Sequence, residues 1–206
     1  MRSYGSKIIN KVNKQQGKGR ANYAFIDSQN LNLGIQKVGW KLNWRKFHEF
    51  LRDKYGVEKA FMFIGYMPDN VTLYEQMHEL GYLIVLKPTL EMYKNPAGSD
   101  KAPAKEVDDK APKKDDDKKP AVKGNVDAEL VLYAVKEMPH YNKAIIVSGD
   151  GDFFSVVEYL KDRGKLLNVM VPNYQYSTLL KQFDEYIIRL DQHKRELQYF
   201  SKKPKK

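Results

Sequence analysis

With 206 residues, 42% of them hydrophobic and 30% charged, the chain is long enough for one well-buried domain, whereas two would each be small. It has no cysteine, which excludes a disulfide scaffold, a thiolate zinc site and a cysteine nucleophile, and no run approaches the ~20 apolar residues of a membrane helix. The net charge of +10 invites a nucleic-acid partner, and where that charge lies decides what it means.

Residues 1–20 carry six basic groups and no acid. No apolar stretch of roughly 7–15 residues follows them, so they do not read as a secretory signal, and a soluble, cytoplasmic protein without membrane contact is expected. Tyr23–Ile26 is short, apolar and partly β-branched, a buried strand. Trp44–Tyr55 places Phe47, Phe50 and Leu51 at helical spacing, with Gly56 as its stop. Lys59–Tyr66 reads as a second strand. Asn70 is placed to cap a helix through Leu80, carrying Leu73, Met77 and Leu80 on one face and ending at Gly81. Tyr82–Leu86 is a third strand.

Residues 94–122 are Lys, Asp, Ala and Pro with almost no large apolar side chain, a composition that cannot offset its chain entropy; this is a disordered charged insert. Beyond it, Asp127–Met138 gives a helix with Leu130, Ala134 and Val135 inward. Lys143–Val147 is a strand, Phe153–Arg163 a helix and Leu167–Val171 a strand. A short helix over Ser177–Phe183 and a strand at Tyr186–Leu190 complete the pattern. The domain limits that follow are a basic N-terminal tail (1–20), a single domain (21–192) containing the insert, and a basic C-terminal tail (193–206).

Alternation of this kind predicts an α/β fold of three layers, a mostly parallel sheet with helices on both faces. Such sheets bind ligands at the carboxyl ends of their strands. The charge divides along the same lines: 1–20 carry +6, 193–206 carry +5 and 94–124 carry +2, which leaves the rest of the chain at −3. Lysine-rich termini serve solubility or grip phosphates equally well. An acidic body would repel RNA unless a divalent metal neutralised its carboxylates.

Asp27 directly follows the first strand, and Asp150 and Asp152 follow the strand KAIIV. Turn chemistry explains any one of these. Together, two distant strands deliver carboxylates to one sheet edge, and Asp127, in the first turn of its helix, joins them if that helix starts beside the first strand. Four clustered carboxylates repel one another without a cation, and an all-oxygen set suits Mg2+ or Mn2+ over zinc. His48, His78, His140 and His193 show no metal-ligand spacing.

The segments FIDSQN, KGNVDAELVL and SGDGDFFSVVEYLKDRGK resemble the motifs of the NYN domain family, within the PIN-like nuclease superfamily, over roughly Tyr23 to Leu190 and in the family's order. The resemblance implies a PIN-like fold, metal-dependent hydrolysis of RNA phosphodiester bonds, and an acidic metal site of Asp27, Asp127, Asp150 and Asp152. Asn30 matches the family's asparagine after the first aspartate, and Ser148 its small hydroxyl residue; both would orient ligands or waters. Lys123 could meet a phosphate or simply end a solvated linker. The long charged insert departs from the pattern.

Two other functions remain compatible. A non-catalytic RNA-binding or scaffolding module of the same fold would bind RNA through its lysine-rich tails without needing metal. An aspartyl-phosphate phosphatase would require a second carboxylate two residues after Asp27, where Gln29 stands. A dinucleotide oxidoreductase is disfavoured, because no Gly-x-Gly-x-x-Gly follows the first strand.

Overall fold

The alternation of side chains along Asn22–Asp27 organises the molecule: Tyr23 and Phe25 enter one core, Ala24 and Ile26 the other, and all four are buried. A computed structural model describes residues 20–65, 70–87 and 126–200. Its strands are β1 (Asn22–Asp27), β2 (Val57–Gly65), β3 (Tyr82–Lys87), β4 (Ala144–Val147), β5 (Leu166–Val171) and β6 (Ile187–Arg189). They form one sheet in the order β3-β2-β1-β4-β5-β6, every neighbouring pair parallel. The central strands read as continuous apolar runs because both faces are covered.

The helices are α1 (Ser28–Lys37), α2 (Trp44–Tyr55), α3 (Val71–Glu79), α4 (Asp127–Lys136), α5 (Phe154–Asp162) and a last turn, α6 (Lys194–Leu197). Leu31 and Ile35 of α1, Phe47 and Leu51 of α2, and Met77 of α3 pack under one face of the sheet. Leu130 and Ala134 of α4, with Val156 and Leu160 of α5, pack on the other, where the Phe25 and Phe61 rings stack at 5.4 Å. This is the expected three-layer α/β architecture. Because β2 and β3 extend to one side of β1 while β4, β5 and β6 extend to the other, the winding reverses between β1 and β4. The carboxyl ends of those two strands flank a crevice, which is where ligands enter sheets of this kind.

Several local expectations change. The segment between Asp27 and Trp44, to which the periodicity assigns no element, holds α1. Its sequence SQNLNLGIQK is poor in helix formers and buries only Leu31 and Ile35, so its apolar signal is one pair. In α3 the inward residues are Tyr74 and Met77, while Leu73 is exposed, the larger ring taking the core side. In α4 Leu130 and Ala134 share a face at a spacing of four, and Val135 points partly to solvent.

The C-terminal boundary also shifts. Residues 193–200, expected to begin a basic tail, fold back on the body. Leu197 is fully buried, its carbonyl accepts the Asn43 N–H at 2.8 Å, and the Tyr199 N–H donates to the Lys41 carbonyl at 2.8 Å. Leu42 and Gln198 form an antiparallel bridge, and Lys54 pairs with Glu196 at 2.9 Å. One leucine in a charged segment gives no periodicity to read. Residues 1–19 of the N-terminal tail, the 94–122 insert, Lys123 and residues 201–206 lie outside the described residues. Among the described residues, no helix is long and apolar enough to cross a membrane.

Candidate functional site

β1 ends in Asp27, which is also the N-cap of α1: its Oδ1 accepts the Asn30 N–H at 3.0 Å, satisfying one of the helix's unpaired donors. The Asn30 side chain turns the other way, and its Oδ1 accepts the Gly149 N–H at 2.9 Å. Gly149 belongs to the loop leaving β4, so Asn30 ties the two strand ends across the crevice. Ser148, first after β4, is buried; its hydroxyl lies 3.4 Å from Asp27 Oδ2 as donor and accepts the Asp150 N–H at 3.1 Å. Asp150 in turn caps a 3-10 turn over Gly151–Phe153, its Oδ1 accepting the Asp152 N–H at 3.1 Å. Asp27, Asn30, Ser148 and Asp150 thus form one connected hydrogen-bonded chain.

Electrostatics mark Asp27 as its centre. The side chain is only 6% exposed. Burial pushes its carboxyl up from 3.8 to about 6; the Asp127 and Asp150 carboxylates add to the rise, while the Asn30 N–H and the Ser148 hydroxyl oppose it. A buried acid kept from easy ionisation by two neighbouring acids is the environment that a bound cation relieves.

Of the residues singled out in the sequence, Asp27, Asn30, Ser148 and Asp150 come together, and Asp127, the first residue of α4, lies close enough for its charge to act on Asp27. Asp152 does not join them. It is exposed, and it is absent from the groups that shift Asp27. Among the described residues no three Asp, Glu or His side chains are gathered as a ready metal-holding group. The fourfold convergence expected from the sequence is therefore not formed.

The donor chemistry nevertheless fits a hard divalent cation. Asp27, Asp127 and Asp150 are oxygen donors of like charge, with no sulfur and no imidazole among them. Three of the four histidines are engaged elsewhere: His140 pairs with Glu137 at 3.4 Å, His193 with Glu196 at 3.6 Å, and the His48 ring packs edge-on to Tyr82.

Sequence reasoning missed the cleft that continues from Asn30 and Gly149 along α1. Leu33, Gly34 and Lys37 line it from the helix, and Pro172, Asn173 and Gln175 from the loop after β5. Residues 30, 33, 34 and 37 follow one helical stripe, a signal that is visible only once α1 is recognised.

The fold and the site define a parallel α/β domain with an acidic crevice at its switch point. The NYN domain family model matches residues 23–191, and the chain belongs to that family. A crystal structure of a protein of unknown function from Vibrio parahaemolyticus is similar, with a TM-score of 0.59 at 20% identity over 85% of this chain and 96% of the other. That likeness is one of fold. No curated protein matches the chain.

Proposed function

We propose that the chain is a divalent-metal-dependent ribonuclease that hydrolyses RNA phosphodiester bonds at the crevice between β1 and β4. The observation that carries this reading is the buried Asp27 at the end of β1, its carboxyl raised to about 6 by burial and by the facing Asp127 and Asp150. Membership of the NYN family supports it.

In this reading Asp27, Asp127 and Asp150 hold Mg2+ or Mn2+, and Asp152 stands at the mouth of the site. When bound, such an ion supplies a Lewis acid for a phosphate oxygen and a water of lowered pKa. The chain's own groups set the geometry. Asn30 keeps the loops after β1 and β4 in register, so that Asp27 and Asp150 face the same crevice. Ser148 orients the Asp27 carboxylate through its hydroxyl and restrains Asp150 through the Asp150 N–H. The lysine-rich segments outside the described residues, Lys123 among them, supply the positive charge that an acidic body lacks for gripping an RNA backbone.

The test is a cleavage assay on mixed RNA and DNA substrates with Mg2+, Mn2+ and chelator in parallel. RNA should be cut only with metal, and Asp27→Asn and Asp150→Asn should each abolish cutting while the circular dichroism spectrum stays native. RNA binding without metal-dependent cleavage would assign the chain instead to the non-catalytic RNA-binding class.

A further inference from the structure

The segment after α6 folds back on the body, yet it carries two rings that the core does not use. Leu197 is fully buried, whereas Tyr199 is 56% and Phe200 62% exposed. Their surroundings are fixed by the bridge between Leu42 and Gln198. The bridge is antiparallel, so Lys41 stands opposite Tyr199, and the Tyr199 N–H donates to the Lys41 carbonyl at 2.8 Å. Side chains alternate along such a segment, and Leu42 turns into the core. Lys41 and Tyr199 therefore share the outer side, where directly opposed residues have Cβ atoms about 5 Å apart. Phe200 has a lysine of its own: the Lys46 Nζ lies 5.3 Å from the centroid of its ring.

The charge along these pieces of chain has one sign. Residues 37–46 hold Lys37, Lys41, Arg45 and Lys46 and no acid, and residues 201–206, which follow Phe200 directly, hold four lysines and no acid. Glu196, the acid of residues 193–200, is paired with Lys54 at 2.9 Å. A basic stretch on an otherwise acidic body has a polyanion as its complement. The rings narrow the choice. Their neighbours Leu42 and Leu197 are buried, which leaves two separate rings and not the broad apolar face that a lipid surface takes up. Rings alternating with lysines match instead the bases and phosphates of a single strand. The stretch also leads to the crevice. Lys37 lines the cleft that begins at Asn30 and Gly149, and Lys41 is four residues further, at most about 14 Å along the chain.

We infer that Tyr199 and Phe200, with Lys41 and Lys46, form a second platform for single-stranded RNA outside the cleavage crevice: unpaired bases stack on the two rings, and the adjoining phosphates meet the two lysines. The choice of RNA rests on the ribonuclease reading. Metal has no part in it, since two lysines and two rings offer a divalent cation no carboxylate. A base inside a duplex has its faces covered by its neighbours, so the platform selects single strands. It holds a strand that continues past Lys37 into the crevice, and it takes no part in breaking the bond.

The experiment is fluorescence polarisation of a labelled single-stranded RNA of mixed sequence, in chelator at fixed salt, with the full chain. Tyr199→Ala and Phe200→Ala should each weaken binding about tenfold, the loss of one base–aromatic stack. Tyr199→Phe and Phe200→Tyr keep a ring and should bind as the wild type does. Lys41→Ala and Lys46→Ala should each weaken binding a few-fold and flatten its salt dependence by one phosphate contact. Both rings are exposed, so the melting temperatures of their alanine variants should match the wild type. A duplex of the same sequence should bind more weakly and be insensitive to either ring. Wild-type affinity in both alanine variants overturns the platform even if Asp27-dependent cleavage is present. So does a loss seen only on phosphatidylserine vesicles, which would assign the rings to a membrane surface. Loss of RNA binding in the ring variants of a chain that cuts no RNA keeps the platform and overturns the ribonuclease reading.

Discussion

The N–H of Gly149 donates to the side-chain oxygen of Asn30 at 2.9 Å, although the two residues are 119 positions apart in the chain. The Asn30 backbone N–H also donates to Asp27 Oδ1, so one residue, through side chain and backbone, ties the loops after both central strands. Replacing it by alanine leaves a part-buried N–H without a partner, a cost of about 1–3 kcal/mol. Asn30→Ala is therefore expected to lower the urea midpoint without changing the slope, and to slow cleavage by loosening the spacing of Asp27 and Asp150. Gly149 itself sits close to its neighbours: a Cβ there would stand 3.2 Å from Tyr176 Cβ and 3.3 Å from Pro172 Cδ. An unchanged midpoint in Asn30→Ala would show that the two loops are held by something else.

Asp27 is expected to weaken the fold that it serves. Its carboxyl stands at about 6 against 3.8 in an open chain, so between those values the folded protein keeps a proton that the unfolded chain has lost. Stability conferred by the protonated acid is complete below pH 4 and declines as pH rises through 6. Asp27→Asn keeps an oxygen for the Asn30 N–H and removes the charge. At pH 8 in chelator it should be more stable than the wild type, by at most about 3 kcal/mol for a rise of roughly two pH units. The difference should vanish near pH 3. Melting curves across pH check this, and a variant that melts below the wild type at pH 8 contradicts it.

How much of this was legible in the sequence depended on the strength of each local signal. Residues 60–63 and Ala144–Val147 are continuous apolar runs, and both lie in strands whose residues there are buried. Trp44–Tyr55 carries its periodicity, an Asn43 cap and the left-handed Gly56 (φ 62°), and matches its predicted limits residue for residue. Helix α1 offered only Leu31 and Ile35 in a polar stretch with an internal glycine. Missing it hid the stripe of Leu33 and Lys37, and with it the cleft. The aspartates could be placed at strand ends, because strand ends are visible in sequence. Their side-chain directions could not, since these follow from which backbone N–H each carboxylate caps. Asp152 shows the difference: its spacing from Asp150 looks like a shared ligand pair, yet it is the Asp152 backbone, and not its carboxylate, that meets Asp150.

The closing segment supplies a test of the revised domain boundary. Leu197 is fully buried against the core that holds Phe47 and Phe50, in the middle of a stretch otherwise made of charged and polar residues. Removing its side chain should cost about 2–5 kcal/mol, the range for a buried leucine truncated to alanine. Leu197→Ala should therefore lower the melting temperature by several degrees or more. Ending the chain at residue 192 should cost at least as much, since it also removes the Leu42–Gln198 bridge and the Lys54–Glu196 pair. Ending it at residue 200 retains all of these contacts and should leave the melting temperature near that of the full chain. Equal melting temperatures for all three proteins would return residues 193–200 to the status of a tail.

Ser148 offers the most direct reading of the site's electrostatics. Its hydroxyl faces Asp27 Oδ2 at 3.4 Å and holds the Asp27 carboxyl down, whereas the Asp127 and Asp150 carboxylates push it up. Removing the hydroxyl should move the Asp27 titration higher, and removing either neighbouring charge should move it lower. Burial acts in the same direction throughout, so all variants should stay above the open-chain value of 3.8. Carbon-detected NMR of the aspartate carboxyl resonances, recorded in chelator across pH 3 to 9, resolves the three cases. Wild-type Asp27 should titrate near 6, Ser148→Ala above it, and Asp127→Asn and Asp150→Asn below it. The order matters more than the sizes. If Asp127→Asn leaves the Asp27 midpoint unmoved, α4 does not bring its carboxylate into the crevice, and the cation would have to be held without it.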